Sequence, residues 1–355
     1  MAVSPASEFS WPDVYTDLLQ RRDLAPEAAT WAMDQIMSGE ATASQVAGFL
    51  MALRSKGETI AELTAIAGVM LEHAHRFSVD GPSLDIVGTG GDRAHTVNIS
   101  TMSAIVAAGA GMRIVKHGNR AASSTSGTAD VLEALGLDLA LTPAQVQEVA
   151  ERAGITFCFA QAFHPAMRHA SPTRRELGVG TVFNALGPLT NPAQPTYAAV
   201  GVADLALAPL MAGVFAARGR RAAVFRGEDG LDELTIAAAS RVWWVADGQV
   251  VEHLVAPEDV GLAQAPLDAL RGGDAVHNAG VVRDMLAGAS GPVRDAVVLN
   301  AGTALAVCSE TVGADSSRDA LVEAIAAGIR RAQESIDSGS AGAVLERWIE
   351  TSRSV

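Results

Sequence analysis

Between residues 84 and 136 the chain twice carries a short apolar run straight into a glycine-bearing turn and then into a helix-like stretch. LDIV leads into GTGGD (88–92), and MRIVK leads into KHGNR (116–120). Short apolar runs that do not alternate, separated by helical text, are how parallel strands covered on both faces read. The same plan continues downstream. TADVLEALG and TPAQVQEVAERAG read as helices closed by Gly136 and Gly154. ITFCFA, AAVGVA and RAAVF read as further strands, and RVWWVADGQVVEHL as a hairpin turning at Asp247-Gly248. A helix is expected over 206–218, another in RDAVVLNAGTALAV, and one amphipathic helix from Asp319 onward. Strands alternating with helices predict an α/β fold with a mainly parallel central sheet.

Two stretches break this rhythm. Residues 11–75 are helical throughout, with apolar residues at three- and four-residue spacing such as Phe49, Leu50, Leu53 and Ile60, Leu63, Ile66. Pro12, Pro26, Thr42 and Thr59 mark starts, and Gly39 and Gly57 mark stops. Residues 164–192 (HPAMRHASPTRRELGVGTVFNALGPLTNP) are also helical but polar and basic, and are expected to rejoin the first helical unit. The expected organisation is a small all-helical domain (11–78 and 165–193) plus a larger α/β domain (79–164 and 194–355).

The charge balance narrows the partners. Against 40 acidic residues stand 26 basic ones, a formal charge of −14, which argues against nucleic acid or an anionic membrane. Only two lysines occur, Lys56 and Lys116, and the second sits in the KHGNR turn. Cys158 and Cys308 are too few for a disulfide framework or a thiolate metal site. The first residues lack a secretory pattern and no apolar run approaches the ~20 residues of a bilayer span, so a cytoplasmic protein is expected.

Within that acidic chain, GTGGD places three glycines at a strand end, where backbone N–H groups can approach an anion closely. It is neither the Walker nor the dinucleotide pattern. Asp92 could accept from sugar hydroxyls or metal-bound waters, or simply cap. NIST (98–101) offers an amide and two hydroxyls at a helix start, a phosphate-favouring position that reads equally as plain capping by Asn98 or its neighbours. KHGNR is a local positive site or a salt-bridged turn, and SSTSGT (123–128) follows it with hydroxyls and Gly127 before a helix. In GEDGLDELT (227–235), adjacent Asp232 and Glu233 suit Mg2+, a cation that keeps its waters and shares phosphate oxygens. A solvated acidic loop is the bland alternative. Arg174 and Arg175 could take a carboxylate in a planar fork, or face solvent; His164 and His169 are equally open.

With HPAMRHA, RRELG, TVFNALGPLTNP, GGDAVHNA and LNAG added in this order, the chain resembles the anthranilate phosphoribosyltransferase family over about residues 12–350. The resemblance implies transfer of phosphoribose from 5-phosphoribosyl 1-pyrophosphate to the amine of anthranilate, with Mg2+, in a homodimer joined through the helical domain. It assigns the donor to Gly88, Gly91, Asp92, Thr96, Asn98, Ile99, Ser100 and Thr101 on the first turn. On the second turn it adds Lys116, His117, Gly118, Asn119, Arg120, Ala121, Ala122, Ser123, Ser124 and Thr128. Anthranilate falls to Gly88, Asn119 and Arg174, with His117 nearby, and the metal to Ser100, Asp232 and Glu233. No covalent nucleophile is implied. Two positions depart from the family pattern at the acceptor entrance: Gly180-Thr181 stands where Arg-Thr is common, and Gln161 where many members have Pro. A nucleoside phosphorylase of similar architecture, or a non-catalytic nucleotide-binding regulator, are the competing readings; the intact Asp232-Glu233 pair speaks against both.

Overall fold

The computed structural model describes residues 9–120, 126–313 and 317–355. Four helices open the chain: α1 (Trp11–Leu19), α2 (Pro26–Met37), α3 (Ala43–Lys56) and α4 (Ile60–Glu72). Thr42 and Thr59 close capping boxes with Gln45 and Glu62, so each helix start satisfies two otherwise orphaned groups. Then come β1 (Leu84–Gly88), α5 (Ile99–Gly109), β2 (Ile114–Gly118), α6 (Thr128–Leu135), α7 (Pro143–Ala153) and β3 (Ile155–Phe159). The interrupting segment holds α8 (Ala160–Phe163), a 3-10 turn over Pro165–His169, α9 (Ser171–Leu177) and α10 (Phe183–Leu189). There follow β4 (Tyr197–Gly201), α11 (Ala208–Ala217), β5 (Arg221–Gly227), β6 (Ser240–Ala246) and β7 (Gln249–Val255). The chain closes with α12 (Ala275–Leu286), α13 (Pro292–Val307), α14 (Arg318–Asp337) and α15 (Ser340–Ser354).

The described residues form one seven-stranded sheet in the order β3-β2-β1-β4-β5-β6-β7. β1 to β5 run parallel, and the β6–β7 hairpin adds two antiparallel strands. Asp247 and Gly248 both have positive φ, as a tight right-twisting hairpin turn requires. One sheet face packs on α5 and α12 to α15. The other packs on the first helices together with Ala170, Val182, Phe183, Leu186 and Leu189 of the interrupting segment. That segment touches α2 through its 3-10 turn, α3 through α9 and α4 through α10.

Two local expectations change. The single C-terminal helix is two, because Gly339 takes φ 76° between α14 and α15; a left-handed residue ends the i to i−4 ladder. Asn98 stands at the N-cap of α5 but its side chain makes no capping bond. Its Oδ1 is taken by Asn278 Nδ2 at 2.9 Å.

Candidate active site

The sheet changes direction about β1: the chain passes to β2 and β3 on one side and returns through β4 on the other. In open α/β sheets the crevice beyond the strand C-termini at such a switch is where ligands bind. Gly88 and Gly201 are register partners at that edge. A Cβ on Gly201 would overlap the Asp232 carbonyl, and one on Gly88 would press on the Asp232 carboxylate. Glycine at both strand ends is what lets the loop after β5 cross the switch point.

That loop delivers two of its four acids to the crevice. Asp232 Oδ2 accepts the Gly90 N–H at 2.6 Å, and Glu233 Oε1 accepts the Ser100 N–H at 3.1 Å in the first turn of α5. The α5 helix start is therefore capped by a carboxylate 133 residues away in sequence, not by Asn98. Glu228 instead pairs with Arg241, and Asp229 accepts from Thr235 Oγ1 and the Leu231 N–H.

Lys116 is buried, its ammonium donating to the Ile86 carbonyl and, at 3.2 Å, to Ser100 Oγ. Burial lowers its pKa, opposed by Asp85, Glu233 and Asp232. Burial, then neighbouring Asp92, pushes the Asp232 carboxyl up to about 7, and burial with Asp232 beside it pushes Glu233 well up. Behind Lys116, Asp85 is buried, bound by Asn191 Nδ2 at 2.8 Å and the His117 N–H at 3.1 Å, and burial raises it to about 6. These carboxylates lie where a cation would lower their energy.

A cavity of 570 Å3 opens over this cluster. Gly88, Gly91, Asp92, Thr96, Asn98, Ile99, Ser100, Lys116, His117, Gly118, Asn119, Arg120, Thr128, Asp232 and Glu233 line it. Thr101 is buried behind the lining, its Oγ1 without a partner among the described residues. Ala121, Ala122, Ser123 and Ser124 lie outside the described residues. Arg120 lines the rim but its guanidinium is shared between Asp130 and Glu133 at 2.7 Å each, so part of the KHGNR turn is the salt-bridged surface that its bland reading predicts. Among the described residues no group of three or more His, Cys, Asp or Glu side chains forms a ready metal cage. Mg2+ does not need one, since one or two carboxylates plus phosphate oxygens and waters complete its shell.

A second cavity, of 560 Å3, shares Gly88, Thr89, His117, Gly118, Asn119 and Asn184 with the first and extends between α4, α9 and α10. Its walls include Met70, Val87, Phe183, Leu186 and Pro188, with Arg174 and Gln161 among its polar members. The Arg174 guanidinium stacks on the Phe183 ring at 4.7 Å and burial lowers its pKa. His117 and His164 face each other with ring centroids 5.1 Å apart. His117 Nδ1 lies 2.9 Å from the Gly187 carbonyl, which assigns the proton to Nδ1 and leaves Nε2 an open acceptor. Burial drops His117 to about 3 and His164 to about 4, so both are neutral at ordinary pH. His169, by contrast, packs on Gly39 away from either cavity. Gly180 lines the donor-side cavity and Thr181 is buried beside it, its N–H held by Asn184 Oδ1. No local signal in the sequence singles out Asp85, Asn184 or the Arg174–Phe183 stack. Asn184 and Phe183 are marked only by lying within the TVFNALGP motif.

Residues 80–342 match the family described as glycosyl transferase family, a/b domain, and residues 12–74 match its helical bundle domain. The chain is 59% identical to the anthranilate phosphoribosyltransferase of a Nocardioides species, over 96% of this chain and 98% of the relative. It superposes on the crystal structure of the Thermus thermophilus anthranilate phosphoribosyltransferase with TM-score 0.88 at 42% identity, covering 96% of this chain and 99% of that one. The Saccharomyces cerevisiae enzyme in complex with PRPP and Mg matches with TM-score 0.86 at 29% identity, covering 98% and 99%.

Proposed function

The chain belongs to the glycosyl transferase family of anthranilate phosphoribosyltransferases, and from that premise we propose which of its residues carry which part of the reaction. The enzyme moves the phosphoribosyl group of 5-phosphoribosyl 1-pyrophosphate to the amine of anthranilate, releasing pyrophosphate, in tryptophan biosynthesis. The C1–O bond to pyrophosphate breaks with its electron pair leaving on oxygen, and the amine nitrogen forms the new C1–N bond and sheds a proton. Charge therefore builds on the pyrophosphate while C1 becomes cation-like. Mg2+ is the cofactor, and when bound it neutralises charge on the leaving group.

The observation that carries the assignment is the buried Asp232-Glu233 pair, held against the N–H groups of Gly90 and Ser100 beside Lys116. Asp232, Glu233 and Ser100 would hold Mg2+. Gly88, Gly91, Asp92, Thr96, Asn98, Ile99, Thr101, Lys116, Gly118, Arg120 and Thr128 would receive the phosphoribosyl donor; Ala121, Ala122, Ser123 and Ser124 complete that assignment from the sequence alone. Arg174, with Gly88 and Asn119, would hold anthranilate, its guanidinium facing the carboxylate while His117 Nε2 accepts from the amine. Two adjoining cavities then bring a fixed nucleophile to a fixed electrophile, which is where most of the acceleration of such a displacement originates.

The same proposal divides the chain into a helical unit (11–78 and 165–193) and an α/β unit (79–164 and 194–355) and pairs two copies through the helical one. The exposed Leu19 and Met51 of α1 and α3 support that face. Among the described residues no helix is long and apolar enough to cross a membrane. A cytoplasmic location is proposed because a multiply charged phosphorylated donor does not cross a bilayer unaided. The test is anthranilate fluorescence followed with and without donor and Mg2+. Consumption only when both are present is expected, and no loss of anthranilate under any condition overturns the assignment.

A further inference from the structure

GGDAVHNA and LNAG, two motifs from the last third of the chain, contribute no side chain that the proposed reaction uses. Each nevertheless carries one fully buried asparagine, Asn278 and Asn300. Neither lines the donor cavity. Both reach the backbone or side chains of segments that do.

Asn300 lies in the middle of α13. Its Oδ1 accepts the Leu234 N–H at 3.0 Å, and its Nδ2 donates to the Leu234 carbonyl at 2.9 Å and to the Ala296 carbonyl at 2.9 Å. The carboxamide thus pairs with both polar groups of one residue, as a neighbouring strand would. Only a side chain with donor and acceptor in one plane does this. Leu234 directly follows Asp232 and Glu233, in a loop with no helix or strand of its own. The clamp therefore fixes the backbone of that loop, one residue past Glu233, from a rigid base. Gly302, two residues on, lets α14 approach so closely that a Cβ would strike Ile329, and α13 is held there.

Asn278, near the start of α12, works on the other half of the donor site. Its Oδ1 accepts the Gly273 N–H at 2.8 Å and its Nδ2 donates to Asn98 Oδ1 at 2.9 Å. With that oxygen engaged, Asn98 cannot turn to cap α5, and its own amide group lies 3.5 Å from the Ser126 carbonyl instead. Asn98 lines the cavity. Its amide orientation there is set by a residue 180 positions away.

We propose that Asn300 and Asn278 are positioning residues with separate duties, Asn300 fixing the metal-binding carboxylates and Asn278 fixing the donor-binding face of Asn98. This rests on the assignment of Mg2+ and donor given above. Outer partners of metal ligands are typically worth 10- to 100-fold in metal affinity or activity.

Asn300→Ala and Asn278→Ala are assayed for the Mg2+ concentration giving half-maximal rate and for donor KM at saturating Mg2+. Asn300→Ala is expected to raise the Mg2+ requirement by about tenfold or more and to leave anthranilate KM near its starting value. Asn278→Ala is expected to raise donor KM several-fold with little change in the Mg2+ requirement. Should an alanine variant fail to fold, Asn300→Ser and Asn278→Ser keep a neutral polar group too short to make the paired contacts, and carry the same expectations. A merely structural role would not split the two parameters. Folded variants with unchanged Mg2+ requirement and donor KM, or both variants moving the same parameter alike, overturn the proposal. Asp232→Asn with Glu233→Gln is the reference. If it loses its Mg2+ response and Asn300→Ala keeps one like the parent, only the positioning role falls. If the reference keeps a parental response, the metal assignment falls and this inference with it.

Discussion

On one side of Gly88 and His117 the protein gathers three carboxylates, a buried lysine and two inward-facing backbone N–H groups; on the other it gathers two neutral imidazoles, an apolar wall and one arginine stacked on a ring. The first half is electrostatically costly until a cation joins it, because buried like charges raise one another's pKa. The second half is at rest as it stands. A displacement at an anomeric carbon asks for this asymmetry: charge appears on the leaving group, while the nucleophile must stay an unprotonated amine. The lesson is that the donor half is tuned by buried carboxylates, and the acceptor half by neutral imidazoles and a lining without acidic groups.

The sharpest way to break the comparison is to neutralise the donor half. Asp232→Asn with Glu233→Gln should lower turnover on the order of 10^3-fold, the scale seen when a preorganised electrostatic partner of a transition state is lost. The metal-free protein should become more stable at pH 7.5, since the amides remove the burial and like-charge costs that raise both carboxyl pKa values. Turnover near that of the parent enzyme at low Mg2+ would refute the charge-tuned half. On the acceptor side, Arg174→Ala should raise anthranilate KM by roughly 10- to 100-fold, the worth of a hydrogen bond to a charged group. Donor KM should hardly move. Steady-state kinetics in both substrates separates these, and an equal rise in both KM values would mean that the two halves are not distinct.

How far the sequence shows this asymmetry depends on the range of the interactions. Strand ends were legible because GTGGD and KHGNR are local signals, and the helix starts at Thr42 and Thr59 because a capping box spans four residues. Asp232 and Glu233 stood out as adjacent acids, yet nothing local separates them from Glu228 and Asp229, which the fold assigns to Arg241 and Thr235. Asn98 reads as a cap by every local rule; its oxygen is claimed by Asn278 only once α12 is in place. Arg120 likewise turns to Asp130 and Glu133 on the next helix. The His117–His164 contact joins β2 to the far end of α8, and only the tertiary fold brings the two rings together. Long-range partners decide which of several locally equivalent polar groups enters the site.

The neutrality of the acceptor half has a pH signature. In the unfolded chain an imidazole protonates near pH 6.5, whereas folded His117 stays neutral down to about 3. Between those values the unfolded chain binds the extra proton, so stability falls as pH drops through the window and is regained as pH rises to 6.5. Lowering pH from 6.5 to 5 should cost the parent protein about 2 kcal/mol that a His117→Asn variant does not lose. Asp85 and Asp232, with raised values, act in the opposite direction but are common to both proteins and cancel in the difference. Denaturant melts of the two proteins at both pH values measure it. Parallel losses would show that His117 takes a proton in the folded state, and the imidazoles of the acceptor half would no longer count as neutral.

The smallest expected effect sharpens the comparison most finely, because it concerns how an arginine is held in a half whose lining offers it no carboxylate. Arg174 has no carboxylate within ion-pairing distance among the described residues; its guanidinium rests on the face of Phe183. That ring holds the fork in place without neutralising it, so the charge remains available to a substrate carboxylate. Phe183→Leu keeps the wall apolar but removes the π face. The stacked geometry is worth about 0.5–2 kcal/mol, depending on desolvation. Anthranilate KM should therefore rise only a few-fold, with kcat and donor KM unchanged and with less effect than Arg174→Ala. In an Arg174→Ala background the same change should do almost nothing to KM, since the ring acts through the guanidinium. An additive double variant would mean that Phe183 contacts the substrate ring directly, and the acceptor half would then be a shape-built pocket in which Arg174 and Phe183 act independently.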